Sequence, residues 1–287
     1  MCYFNGQKVT RSEYIRLKEL EKLVARYNFI NRDVVSGFDF GKIAVMKPIR
    51  GKEDFEIVQM EWGFLGDPSR WPFLETRKQV DLIRSKHPDH NGVWMDGMDF
   101  LNAKGEELLF KNKVYRPAAL EQRCIILSTG YFDWRHVYHL NKRTGEPRKT
   151  PTKYPYRIML DGKEYFPIAG VWNPWTDYDT GETVDTCTMV TTNGNFVTAQ
   201  IHNSKSRQPT ILTDDLAWEW MFMKSNEKRI TEIATYQMPW EKFKWYTLAK
   251  NFLDSTDPLK EYHHQNLPPI ILPGMEDLPQ PGQLQLF

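Results

Sequence analysis

Tyr156-Arg157-Ile158-Met159-Leu160, then Asp161-Gly162, then Lys163-Glu164-Tyr165-Phe166-Pro167-Ile168-Ala169-Gly170-Val171-Trp172: the fold is decided by how this stretch is read. Two apolar, aromatic-rich runs flank an Asp-Gly pair. Asp-Gly supplies the positive φ that a two-residue turn requires, so the stretch predicts a β-hairpin. Moving outward, residues 123–127 (Arg-Cys-Ile-Ile-Leu) predict a buried strand running into Gly130-Tyr131-Phe132-Asp133-Trp134. Residues 42–48, 54–61, 183–192 and 209–212 predict further strands. Trp62-Gly63-Phe64-Leu65-Gly66 reads as a turn. Thr10-Arg11-Ser12-Glu13 fits a capping box ahead of Ile15, Leu17, Leu20, Leu23 and Val24, predicting a helix over 11–27. Shorter helices are expected over 74–86, after the polar segment 102–107, near 194–199, after the cap Thr213-Asp214-Asp215, and from Ser225.

Many strands, few helices and no internal repeat predict one α+β domain over residues 1–262. Residues 263–287 differ. They are proline-rich, carry only Glu276 and Asp277 as charges, and are expected to be extended or disordered. Residues 139–153 are basic and turn-rich and predict an exposed loop.

The chain has 287 residues, 40% hydrophobic and 26% charged, enough to bury a sizeable core. The balance of 38 basic against 37 acidic residues leaves a net charge of +1, so a nucleic-acid site would have to be a local patch. Cys2, Cys124 and Cys187 are too few and too far apart for a disulfide framework or a zinc site. There is no apolar signal core and no run of 18 apolar residues. The expectation is a reducing, cytoplasmic setting.

Cys2 follows the initiator Met1. With Met1 removed, one residue carries an α-amine and a thiol on adjacent carbons, with pKa values of roughly 8 and 8.5. Such a 1,2-aminothiol can condense with an aldehyde and close a five-membered ring, which an interior cysteine cannot do. Position alone does not separate this from a cysteine in a frayed terminus. Asn102 stands at an element boundary, where a cap or turn role competes with chemistry. Asp133 lies between Phe132 and Trp134, where a carboxylate has a raised pKa or a dedicated partner. His202 follows a strand and a short helix. The other histidines show no metal spacing, and His136 with His139 at i, i+3 is set aside. Lys104, Arg123, Arg135, Lys205 and Arg207, with Trp62 and Pro48, could form a basic groove with flat stacking surfaces, or simply a solvated face.

Taken together, Met1-Cys2, Trp62-Gly63, Asn102-Ala103-Lys104-Gly105-Glu106, Arg123-Cys124, Gly130-Tyr131-Phe132-Asp133-Trp134 and Ile201-His202 with Arg207-Gln208-Pro209 resemble, in order, the motifs of the SRAP (SOS response-associated peptidase-like) family. The resemblance covers residues 1 to about 220. It implies a mixed, partly barrel-like β core flanked by helices. It implies a protein of the DNA damage response that senses abasic sites in single-stranded DNA and forms a covalent thiazolidine cross-link through Cys2, shielding the lesion. It assigns Cys2, Asn102, Asp133 and His202 to catalysis, with Asp133 holding the amine and shuttling its proton and His202 protonating the sugar ring oxygen. Pro48, Trp62, Gly63, Lys104, Glu106, Arg123, Thr191, Arg207 and Pro209 are assigned to DNA binding. It implies no cofactor and no metal. Two other functions fit the same residues: a thiol (auto)peptidase with His202 as base for Cys2, and a noncovalent single-strand binder.

The sequence departs from the family pattern at four places. Tyr3-Phe4 replaces Gly-Arg, Lys104 replaces Arg, Asp133 replaces Glu, and the His-to-Arg spacing is longer by about the three residues 203–205. At the other end, Gln283-Leu284-Gln285-Leu286-Phe287 resembles peptides that bind the bacterial replication sliding clamp. Gln283, Leu284, Leu286 and Phe287 would be its anchors.

Overall fold

Asp161 and Gly162 do turn the chain, with Gly162 at φ +68°, but the strands they join do not pair with each other. The computed structural model describes residues 3–8, 31–85, 87–88, 94–95 and 97–274. Cys2, the expected helix over 11–27 and the peptide at 283–287 lie outside the described residues. Strand β10 (Thr152–Leu160) pairs with β9 (Gly130–Val137) and β14 (Phe243–Thr247), while β11 (Phe166–Thr176) pairs with β8 (Arg123–Ser128) and β12 (Thr183–Asn193). The turn therefore carries the chain from one sheet to another, and the predicted hairpin is corrected to a crossover. Asp-Gly fixes a local φ, but burial chooses the partners. Residues 166–171 are buried without interruption and need cover on both faces, which a strand inside a sheet packed on both sides receives. Asp161 N–H donates to Lys242 O at 2.8 Å, committing the end of β10 to the approach to β14.

The remaining strands are β1 (Phe4–Lys8), β2 (Asn31–Ser36), β3 (Lys42–Pro48), β4 (Phe55–Trp62), the two-residue pair β5 (His87–Pro88) and β6 (Trp94–Met95), β7 (Asn102–Lys104) and β13 (Arg207–Pro209). The helices among the described residues are α1 (Arg77–Arg84), α2 (Arg116–Glu121), α3 (Phe196–Ile201), α4 (Asp214–Phe222) and α5 (Glu227–Ala234). The fold is α+β with a barrel-like β core, as expected. Strands β11, β8, β3, β4 and β12 close on themselves, because β12 pairs with both β4 and β11. A ring of five cannot alternate direction throughout, and here β4–β12 is the parallel seam, joining Glu61 to Thr186 and Trp62 to Cys187. Strand β7 adds to β12 in parallel and β13 adds antiparallel.

Alternation along β8 shows the layering. Cys124 and Ile126 point into the barrel with Ile43, Val45, Met60, Trp62, Ile168 and Met189. Ile125 and Leu127 face outward, under α4 with Ala217, Trp220 and Met221. Trp220 Nε1 donates to Cys124 O and Gly170 O, fastening α4 to two barrel strands. Thr213 caps α4 by accepting from Leu216 N–H, as its sequence predicts, and Asn226 rather than Ser225 caps α5.

The second sheet runs β14-β10-β9-β1-β2. Only Thr129 separates β8 in the barrel from β9 in this sheet, so the 123–134 stretch read as one strand is two. Asn5 ties the sheets together here. Its fully buried amide donates to Leu127 O at 3.3 Å and accepts from Ser128 Oγ. Residues 264–272 have little regular structure, yet Leu267, Ile270 and Leu272 pack on the core and Gln200 exchanges two hydrogen bonds with the Ile271 main chain. The chain therefore does not leave the body at residue 263. Among the described residues, no helix is long and apolar enough to cross a membrane.

Candidate active site

Strand β1 enters between β9 and β2, with Phe4 opposite Phe132 and Asn5 opposite Tyr131. Continuing that register sets Tyr3 beside Asp133. Tyr3, Asp133, Trp134, His136, Lys153, His202, Ser204 and Lys205 line one cleft of about 320 Å³. Helix α3 delivers His202 as its C-terminal cap. Asn195 starts this helix by accepting from Val197 and Thr198 N–H, and its length then fixes where the imidazole falls. A tight loop follows. Lys205 and Ser206 N–H both donate to His202 O, with Ser206 at φ +50°.

The two residues expected to handle protons meet in this cleft. Asp133 Oδ2 lies 3.3 Å from His202 Nδ1, and both side chains are almost wholly buried. Asp133 Oδ1 accepts from Trp134 N–H, while Oδ2 has no hydrogen-bond partner among the described residues. His202 Nδ1 sits 2.9 Å from Arg207 O, which can only accept, and 3.3 Å from Arg207 N–H, which can only donate; the shorter contact favours the tautomer with the ring proton on Nδ1 and the lone pair on Nε2. Burial pushes the Asp133 carboxyl up to about 7, and burial pushes His202 down to about 4. Between those values both groups are neutral. Near pH 7 Asp133 is half ionised and His202 is uncharged.

Asn102 stands nearby without lining the cleft. It opens β7 opposite Met189, and both polar atoms of its side chain are buried with no partner among the described residues. Gly37 N–H donates to Tyr3 O, and a Cβ at Gly37 would come within 3.2 Å of that oxygen and 3.0 Å of Leu101 Cδ1, so the residue before Asn102 and the entry of β1 both pack on Gly37. An orphaned, buried amide at this place is free to orient a group brought to it.

The expected DNA-binding residues divide into three sets. Glu106, Thr191, Arg207 and Pro209 assemble behind His202. Arg207 Nη2 donates to Glu106 Oε2 at 2.8 Å and to Thr191 O and Oγ1, and Pro209 is buried opposite Thr191 in the ladder. Burial opposes the Glu106 charge, but Arg207 outweighs it and holds this carboxyl below its usual range. Lys104 is exposed and paired with Glu107, and half-buried Pro48 ends β3 opposite Phe55.

Trp62, Gly63 and Arg123 are interior. Trp62 is 0% exposed and its indole donates to Leu101 O, so it is a core residue and not a stacking wedge. Gly63 takes φ +138° and leaves no room for a Cβ, which would meet Arg84 Nη2 at 2.6 Å. Arg123 donates to Ala119, Leu120, Trp220 and Met223 carbonyls, closing the C-terminal ends of α2 and α4, so it is a capping cation and not a phosphate ligand. Arg135 donates to Pro268 O and Pro269 O and holds the tail.

Several contributors carried no strong sequence signal. Tyr3 packs on Phe38 with ring centroids 4.6 Å apart and planes tilted by 34°, and Phe38 is 52% exposed, so these two rings offer an aromatic surface of the kind assigned to Trp62. Asn203 Oδ1 accepts from His136 N–H and its Nδ2 donates to His136 O, pinning the 202–206 loop to β9. The longer spacing between His202 and Arg207 was the available sign. Its extra residues 203–205 supply this clamp and two cleft residues, Ser204 and Lys205. Among the described residues, no group of three His, Cys, Asp or Glu side chains is placed to hold a metal.

The chain is 31% identical over 131 residues to Abasic site processing protein YoqW of Bacillus subtilis, covering 46% of this chain and 51% of that protein. It is 26% identical over 159 residues to Abasic site processing protein YedK of Escherichia coli, covering 55% of this chain and 63% of that protein. The chain thus spans about half the length of the curated relatives it matches. In fold it is similar to a crystal structure from Bacteroides thetaiotaomicron, with TM-score 0.67 at 23% identity, covering 90% of this chain and 96% of that one. A phage-related protein from Bordetella bronchiseptica gives TM-score 0.56 at 19% identity, covering 87% and 95%. The family model described as SOS response associated peptidase (SRAP) matches residues 10–254, and the chain belongs to that family.

Proposed function

We propose that this protein processes abasic sites in single-stranded DNA, in the cytoplasm, by forming a thiazolidine with the open-chain aldehyde of the lesion through Cys2 after Met1 is removed. One observation carries the proposal. The buried Asp133–His202 pair shares a cleft with Tyr3, and Tyr3 is one peptide bond from Cys2. Consecutive Cα atoms are about 3.8 Å apart, which is the separation along the chain between Tyr3 and the aminothiol residue. The relatives' names, abasic site processing proteins, point to the same lesion.

The chemistry needs no redox partner. The Cys2 amine adds to the aldehyde carbon, the resulting carbinolamine loses water to give an imine, and the thiol adds to the imine carbon while its proton passes to nitrogen. Asp133, at about 7, takes the proton of the Cys2 ammonium and returns it to the departing hydroxyl. His202 is uncharged at neutral pH, so its part is that of a hydrogen-bonding partner and weak base at Nε2, and ring opening draws its proton from Asp133. Holding the strand in the cleft makes the attack effectively intramolecular. Tyr3 and Phe38 supply stacking faces, and Asn102 orients the adduct.

The test is incubation with a single-stranded oligonucleotide carrying one abasic site. A heat-stable conjugate is expected from the processed protein and none from Cys2→Ala or from protein retaining Met1. Absence of a conjugate, beside a positive control cross-linker, overturns the proposal. A peptidase acting on Met1 would instead release that residue in a His202-dependent manner without DNA. We also propose that Gln283, Leu284, Leu286 and Phe287 tether the protein to the replication clamp. Deleting residues 283–287 should abolish clamp binding and leave the conjugate unchanged.

A further inference from the structure

The hairpin between β9 and β10 is unused by the chemistry above, and its charge is out of proportion to the chain. Residues 138–153 hold five cations, Lys142, Arg143, Arg148, Lys149 and Lys153, against one carboxylate, Glu146, a net of +4 in a protein whose whole net charge is +1. None of the five is in an ion pair with a carboxylate of the described residues. Elsewhere Lys47, Arg77, Arg84, Lys113, Arg116, Arg207 and Arg229 are all paired. Other cations, such as Lys52 and Lys260, also lack an ion pair among the described residues; what sets this hairpin apart is five of them gathered on one arm with a single carboxylate.

The hairpin is also shaped. Leu140 bridges Pro147, Arg148 N–H donates to His139 O at 2.9 Å, and Asn141 N–H donates to Glu146 O at 2.7 Å, so the two arms stay together past the end of the sheet. His139 Nε2 and the Tyr154 hydroxyl, 2.8 Å apart, fasten its base. Residues 141–150 are exposed throughout. Tyr138 and Leu140 are 54% and 61% exposed on the same segment, placing apolar faces beside the charges. The base of the arm is the cleft itself, since Lys153 lines it and pairs in register with His136, which lines it too. From Val137 to Asn141, just before the turn at 142–144, the extended arm reaches roughly 13 Å. A line of cations without ion pairs, with the aromatic ring of Tyr138 beside them, leading out of a cleft, matches the electrostatic groove and stacking surface that hold single-stranded nucleic acid.

We infer that the 138–153 hairpin is a phosphate-tracking arm that grips the single strand on one side of the lesion as it leaves the Asp133–His202 cleft. This rests on the proposed nucleic-acid function and adds a second, non-catalytic contact surface to it. The test uses the full chain and the variant Lys142→Gln/Arg143→Gln/Arg148→Gln/Lys149→Gln. All four side chains are exposed, so the fold should be unchanged, which the melting temperature checks. Binding to an intact single strand, with no aldehyde, is measured over a range of salt. Each lost phosphate contact should lower the slope of log affinity against log salt by about 0.7, so the variant's slope should fall by about 2 to 3. Cross-linking to two strands, with the lesion at one end or at the other, should then slow by tenfold or more for only one of them. A three-nucleotide abasic strand, too short to reach the arm, should react equally with both proteins. An unchanged slope overturns the arm and leaves the proposed chemistry standing. A loss equal for both lesion positions overturns the arm as a one-sided track. Absence of salt-dependent binding in the unmodified protein overturns the arm together with the nucleic-acid function.

Discussion

Asp133 Oδ2 and His202 Nδ1 lie 3.3 Å apart, yet burial keeps both in their uncharged forms over the weakly acidic range, from about 4 to about 7. The pair is thus two uncharged groups facing each other in one buried cleft, and not a standing salt bridge. A carboxyl at about 7 can both give and accept a proton at the pH where it works.

That poise has a cost visible in stability. The native Asp133 holds its proton up to about 7 while the unfolded one releases it near 3.9, so the native state binds more protons in between and stability falls as pH rises across that window. Asp133→Asn removes the penalty. It should be more stable than the parent at pH 8 by a few kcal/mol, with the gap closing toward pH 4, while conjugate formation drops by roughly 10²-fold or more. Denaturant titrations at pH 4.5 and 8 check this. An equal difference at both would rule out Asp133 as the source.

His202 acts in the opposite direction. Its native value near 4 lies below the ordinary 6.5, so the unfolded chain takes up a proton first and stability is lost as pH falls from 6.5 to 4. His202→Gln, which keeps a polar side chain, should flatten that acid limb. Urea midpoints at pH 4.5 and 6.5 measure it. A limb as steep as the parent's would assign the acid loss to other groups.

Trp62 and Phe38 should exchange the roles their sequence contexts suggest. Trp62→Ala empties a fully buried site and should cost about 3–5 kcal/mol. Phe38→Ala, at a half-exposed ring packed against Tyr3, should leave stability within about 1 kcal/mol yet weaken strand binding by about 1–3 kcal/mol. Thermal melts with strand-binding isotherms separate the two.

Arg123→Met should destabilise by about 3 kcal/mol or more, because four carbonyls at the ends of two helices lose a charged donor. The salt dependence of strand binding should not move. A fall in that slope by about 0.7 would return Arg123 to the phosphate-contacting set.

Asn203→Ala removes both bonds to the His136 main chain and frees the 202–206 loop. A loss of about 1–2 kcal/mol in stability is expected, with slower conjugate formation at saturating DNA and unchanged strand affinity. Affinity falling with the rate would place Asn203 in contact with DNA.

The sequence was most legible where chemistry is local. Strand β3 falls where periodicity put it, Thr213 caps α4, and Gly162 takes its positive φ. Asp133 between Phe132 and Trp134 was rightly marked as a perturbed carboxylate, because its apolar neighbours are adjacent in sequence. Pairing partners were not legible. The Asp161–Gly162 turn has hairpin chemistry, but whether its strands meet depends on which sheet can cover residues 166–171. Burial misled at Trp62 and Arg123 for the same reason. An aromatic and a cation beside motif residues read as ligand contacts, and only the closed barrel and the two helix ends show what they touch. Tyr3, Phe38 and Asn203 were invisible because their value comes from neighbours far along the chain.

The tie between Asn5 and Leu127, 122 residues apart, has a consequence in time. A ribosome making about 5–20 residues per second delivers the partner on the order of ten seconds after β1 itself. His202 follows later still. Strand β1 thus waits for residues 130–137 before it can dock on its β9 side, and the cleft is complete only once the chain has been made as far as Lys205. A destabilised barrel seam should therefore show itself first as slow appearance of activity after translation, before any loss in the finished protein.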